Sequence, residues 1–269
     1  MKQSSLLPLL VFLLTSLTLT RANARELLRP DVIQQTQISQ PKTLQAPYLE
    51  NAGKRNGINI WIVDGIYIRT HMDVEFTNYG QHYNFKYIPR NEFWIDKEGE
   101  PDERDFFVTH LLVEHRLMAK GVSYDKALEA ADKAELAERK KAGDVKKLAG
   151  DGNLPDPKKV HVRLWKKLES PVSVWIVDGR LVRSVFDVDF TEGGHDYVYE
   201  FVPHDEVWID NDLDERERPY VLLHELHERN LMAKGWSYSR AHDDASRIEL
   251  YFRHTPGELH NALAKEGWE

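Results

Sequence analysis

The chain has 269 residues, 41% of them hydrophobic and 30% charged, and a net charge of −8. That balance excludes a disordered chain and one that crosses a membrane many times, because only one long apolar run exists. The negative charge argues against a nucleic-acid partner. No cysteine is present, which excludes disulfides, iron–sulfur clusters and thiol nucleophiles and leaves His, Asp and Glu to hold any metal.

The N-terminus reads as a targeting segment. Lys2 supplies a positive start, Leu6 to Leu19 an apolar run, and Ala22-Asn23-Ala24 a small-residue cleavage pattern. The run is shorter than the roughly 20 residues a spanning helix needs. Residues 1–24 are therefore expected to be a signal peptide cut after Ala24, making the protein secreted or periplasmic, with no transmembrane segment once the signal is gone. Residues 25–55 have few apolar side chains and glutamines between Pro30 and Pro41, which predicts an extended leader.

The rest of the chain is one unit written twice. Trp61-Ile62-Val63-Asp64-Gly65 returns as Trp175-Ile176-Val177-Asp178-Gly179, and Leu117-Met118-Ala119-Lys120-Gly121 returns as Leu231-Met232-Ala233-Lys234-Gly235, both at an offset of 114. Two copies make a duplication rather than a solenoid, which needs three or more short repeats. The first unit is placed at 56–136 and the second at 171–269. A linker over 137–170 carries the breakers Gly150-Asp151-Gly152 and Pro155-Asp156-Pro157.

Within the second unit, Val172–Val177 and Leu181–Val188 flank Asp178-Gly179, a hairpin signal. Gly193-Gly194 reads as a loop, Tyr197, Tyr199 and Phe201 alternate as a strand does, and Val207-Trp208-Ile209 reads as a further strand. Pro219 suits the start of a helix that runs to Lys234 and stops at Gly235. Ser237 caps a second helix to about Phe252, and Thr255 with Glu258 predicts a capping box for a short third. The fold class is α+β: a tandem duplication of a small antiparallel sheet followed by a helical hairpin.

The helical hairpin carries the candidate chemistry. His224 and Glu228 are four apart and share a helix face. Glu228 lies seven residues before Gly235 and His242 seven after it, so they sit at similar heights on two antiparallel helices. Glu249 follows two turns below His242. His224, Glu228, His242 and Glu249 are thus expected to converge as ligands for zinc, with iron and manganese also suited to these donors. The first unit has His110, Glu114 and Glu135 at the matching positions, but Leu111 where the second has Glu225, Leu128 for His242 and Val113 for His227. His195 and His227 are weaker candidates for the substrate side. Arg69/Arg183 and Asp73/Asp187 recur in both units and are read as ion pairs.

His224-Glu225-Leu226-His227-Glu228 resembles the helix of the zincin metallopeptidases, whose HExxH motif binds zinc through two histidines and activates water with the intervening glutamate. The resemblance covers 224–249. It implies that His224 is a ligand, Glu225 the general base and Glu249 a ligand from the next helix. The second motif histidine is replaced by Glu228, giving HExxE. The expected function is a secreted or periplasmic zinc-dependent hydrolase acting on a peptide or similar amide. The alternatives are a non-catalytic tandem binding module of the cell envelope or extracellular space and, more weakly, a carboxylate-bridged redox site.

Overall fold

A computed structural model of the protein describes residues 47–143 and 156–268. The segment expected to be a signal peptide (1–24), most of the expected leader and the middle of the expected linker lie outside the described residues.

The hairpin opening the first unit comes earlier than expected. β1 (Tyr48–Arg55) pairs antiparallel with β2 (Ile58–Val63). Asn56 and Gly57 turn between them at positive φ, which matches the twist of the two strands. Residues 48–55 are therefore strand, not leader. Their exposed polar side chains hide an edge strand from a reading based on apolar content. The 137–170 linker is corrected likewise, because the helix before it runs on to Ala142 and a strand already occupies His161–Lys167.

Asp64-Gly65 and Asp178-Gly179 do not turn hairpins. Each Asp accepts a hydrogen bond from a backbone amide three residues on and so caps a short helix: α1 (Gly65–His71) in one unit, and Gly179–Val185 in the other. Gly is required there because a Cβ on Gly65 or Gly179 would fall within 2 Å of the Asp96 or Asp210 carboxylate. The helix carries the chain across the sheet, so β2 meets β4 (Glu92–Asp96) in parallel and β3 (Tyr79–Gln81) closes the edge antiparallel to β4. The order β1-β2-β4-β3 recurs in the second unit, as β5 (His161–Lys167), β6 (Ser173–Val177), β8 (Glu206–Asp210) and β7 (Gly193–His195), in the order β5-β6-β8-β7. Each sheet is mixed, with one parallel pair, rather than antiparallel throughout. Gly193-Gly194 is strand. Tyr197 to Phe201 is a run of turns in which the Tyr199 and Phe201 rings pack on Phe190 and Trp208, while Tyr197 is exposed beneath Arg229.

The predicted helical hairpins are present. In the first unit they are α2 (Arg104–Met118) and α3 (Tyr124–Ala142). In the second, after α4 (Gly179–Val185), they are α5 (Arg218–Ala233) and α6 (Tyr238–His254), followed by α7 (Leu259–Lys265). The Thr255 hydroxyl bonds back to the Tyr251 carbonyl rather than capping forward as a capping box would. β6 shows how each sheet is buried on both faces. Val174 and Ile176 join Val221, Leu222 and Leu226 of α5, while Val177 and Trp175 pack with Val182 and Phe190 on the other side. Among the described residues no helix is long and apolar enough to cross a membrane.

The two units dock through a buried, reciprocal ion network. Arg69 of the first unit reaches Glu217 of the second at 2.9 Å, and Arg183 of the second reaches Glu103 of the first at 2.5 Å. Each arginine also holds the last aspartate of its own parallel strand, Asp96 or Asp210. Arg139 and Arg253 then bind Glu103 and Glu217 from the second helix of each hairpin. Contacts that repeat with the partners exchanged are the signature of a two-fold, self-complementary interface. The recurring arginines are thus ion-paired as expected and join the copies, but Asp73 and Asp187 are not their partners: each accepts a hydrogen bond from the backbone amide two residues on.

Candidate metal centre on the second helical hairpin

α5 and α6 bring together three of the four expected ligands. His224 Nε2 lies 3.2 Å from His242 Nδ1, His242 Nδ1 lies 2.9 Å from Glu228 Oε2, and Glu228 Oε2 lies 3.7 Å from His224 Nε2. Ligands about 2.1 Å from a tetrahedral zinc are about 3.4 Å apart, so this triangle has the size of one face of such a site.

Each of the three is held from behind. His224 Nδ1 donates to Glu249 Oε2 at 2.9 Å, and His242 Nε2 donates to Glu75 Oε2 at 3.2 Å. His195 Nε2 donates to Glu228 Oε1 at 2.9 Å. With those protons placed, the facing atoms are a lone pair on each imidazole and an anionic oxygen, an arrangement that calls for a cation. The electrostatics agree. Burial opposes charge on His224, but Glu228 and Glu249 raise its pKa well above the usual histidine range. Burial likewise works against His242, yet Glu228 and Glu75 lift it to about 9. Burial would raise Glu228, but the three imidazoles hold it far below the carboxylate range. Two protons or one divalent ion meet the same demand for positive charge.

Glu249 is not a ligand in this arrangement. One of its oxygens orients His224 and the other binds Arg253 at 2.7 Å, a pairing that, against burial, keeps the carboxyl at about 2. His195 is buried beside the site but sits behind Glu228. Its Nδ1 accepts the Tyr197 amide, so Nε2 must carry the proton, and the His195–Glu225–Glu228 group is a poor second metal site. His227 is corrected outright. Expected on the substrate side, it lines neither of the two clefts beside His224 and is clamped between Asp244 and Glu266, at 3.0 and 2.8 Å.

Glu225 stands apart from the triangle. Its side chain packs over Gly193, where an added Cβ would come within 3.0 Å of the Glu225 Cγ. No protein group among the described residues hydrogen-bonds its carboxyl. Burial, only partly offset by His224, raises its pKa to about 7. Two small clefts, each with about 80 Å³ of open space, meet at His224, Glu225 and His242. One is walled by Glu75, Thr77, Glu192 and Ser246, and the other by Gly194, Tyr199 and Tyr238.

Two residues here escape a reading of the sequence. Glu75 arrives from the first unit, and Glu192, at positive φ, lines the same cleft as Glu75 and pairs with Arg69. The visible signal is the acid at the same place in both units, Glu75 and Asp189. A comparison with protein-family models, curated proteins and solved structures finds no match for this chain.

Proposed function

We propose that the protein is a divalent-metal-dependent hydrolase whose site lies on the helical hairpin of the second unit, with zinc the metal its donors suit best. The observation that carries this reading is the triangle of His224 Nε2, His242 Nδ1 and Glu228 Oε2, each atom backed by its own hydrogen-bond partner. A metal with three protein ligands keeps a position open for catalysis, whereas a structural site closes it with a fourth. Bound there, the ion supplies Lewis acidity.

The protein's own groups do the rest. Glu225, near neutral in pKa and with no hydrogen-bond partner among the described residues, takes a proton from water as the water oxygen bonds the carbonyl carbon of a peptide or similar amide. The carbon–nitrogen bond then breaks and Glu225 returns that proton to the departing amine. Glu228 is anchored by His195 so that Oε2 stays turned to the site. The clefts have room for one end of a substrate group on each side of Glu225 rather than for a long bound chain. The apolar N-terminal run supports the periplasm or the cell exterior as the place of action.

Glu225→Gln tests this reading. With general-base catalysis contributing about 10²–10⁴-fold, the variant should bind one zinc and lose hydrolysis of a peptide library by at least a hundredfold. Full activity in Glu225→Gln would remove the role assigned to Glu225. Bound zinc with no hydrolysis in the wild type would favour the binding-module alternative.

A further inference from the structure

We propose that the first unit is a working part of the metal centre, with Glu75 the residue that positions His242. This rests on the metal reading above and adds a requirement to it: the second unit alone does not complete the site.

The geometry is direct. Glu75 is the partner of His242 Nε2, at 3.2 Å, and that bond decides which ring nitrogen of His242 faces His224 and Glu228. Without it, His242 can turn over or keep its proton on Nδ1, and in either case the lone pair leaves the triangle. Outer carboxylates of this kind typically contribute 10–100-fold to metal affinity.

Glu75 is also well held. Its amide donates to the Asp73 side chain at 3.1 Å, and the next residue, Phe76, is fully buried in the core of the first unit. Arg69 donates to the Phe76 carbonyl at 3.3 Å, and the same guanidinium binds Glu217 and Glu192 of the second unit. One arginine thus fixes the segment carrying Glu75 against the unit carrying His242. It reaches the other imidazole too, because Glu217 holds Arg253, which holds Glu249, which orients His224. Both metal-facing imidazoles are therefore set by residues tied to the first unit.

The mirror position shows what the contact is for. Asp189 of the second unit matches Glu75, but Leu128 stands in the first hairpin in place of His242, so the imidazole that Glu75 bonds has no counterpart there.

The test is a competition titration of the full chain with Zn²⁺ and a chromophoric chelator, for the wild type, Glu75→Ala and Glu75→Gln. Cobalt spectra report the coordination geometry. The expected result is a 10–100-fold loss of zinc affinity in Glu75→Ala and an altered cobalt spectrum. Glu75→Gln, which keeps an acceptor for Nε2–H, should recover part of the affinity. Metal-free thermal unfolding should stay a single cooperative transition with a modestly lowered midpoint, since the Glu75–His242 pair is lost but the Glu75 side chain is 37% exposed. Glu75→Ala binding zinc as tightly as wild type, with the same cobalt spectrum, would overturn the inference while leaving the metal centre standing. A wild type that binds neither ion would overturn both.

Discussion

The two helical hairpins share a backbone plan, yet only one leaves space at the place where the ligands meet. In the second unit Gly193, Val221 and Glu225 leave a cleft beside His224. The first unit has Tyr79, Phe107 and Leu111 at these positions. The Tyr79 ring lies 4.8 Å from that of Phe107 and 5.1 Å from that of His110, filling the equivalent volume. His110 still meets Glu135 at 3.0 Å, as His224 meets Glu249. Glu114, the counterpart of Glu228, bonds Gln81 and Asn84 instead of imidazoles. The first unit thus keeps His110, Glu114 and the orienting Glu135, while the positions of His242 and Glu225 have become Leu128 and Leu111. A few exchanges, glycine for tyrosine above all, separate a packed core from an open site.

That contrast can be broken in graded steps. The largest effect is expected from Gly193→Tyr, which places the first unit's plug over Glu225. An added Cβ already meets Glu225 Cγ at 3.0 Å, so a full ring displaces the carboxyl and should cost activity at least as much as the ~10²–10⁴-fold due to the base itself. Peptide-hydrolysis assays check it, and retained activity would show that the cleft over Gly193 is not used. Next comes Arg183→Met, which leaves Glu103 and Asp210 buried with one cation fewer. Breaking a buried pair costs about 3–5 kcal/mol, measurable by chemical denaturation. Tyr79→Ala should also destabilise, by about 3–5 kcal/mol if its cavity stays empty, without affecting zinc affinity at the second site.

The smallest effect concerns pH. Asp132 of the first unit stands near His110 where the second has Ser246, and burial and then Asp189 raise its pKa to about 8. A carboxyl raised in the folded state stabilises the protein while protonated, and that contribution fades as pH climbs from the unfolded value near 4 to about 8. Asp132→Asn should therefore match wild type near pH 4 and exceed it at pH 8, by an amount that solvent screening of the 20% exposed side chain holds well below the ~1.4 kcal/mol per pH unit of an unscreened group. Denaturation at both pH values checks it. A variant less stable at pH 8 would show that Asp132 is held charged.

Much of this is legible in the sequence for definite physical reasons. Repeat spacing reveals the duplication, and the heights of Glu228 and His242 about Gly235 come from helix rise alone. The hairpins expected at Asp64-Gly65 and Asp178-Gly179 fail because one dipeptide serves both a tight turn and a helix cap. Glu249 reads as a ligand because depth along a helix does not say which of two nearby side chains lies in front. Glu75 is invisible for a different reason. It lies 167 residues from His242 and reaches it only because Arg69 and Arg183 dock the two units, and no local period encodes a contact made by docking.

The central claim is that one unit, and not the other, holds a metal. Elemental analysis of the purified chain, beside His224→Ala combined with His242→Ala, tests it most directly. The account predicts one zinc per wild-type chain and none in the double variant. No metal in the wild type, two per chain, or metal retained by the double variant would contradict it.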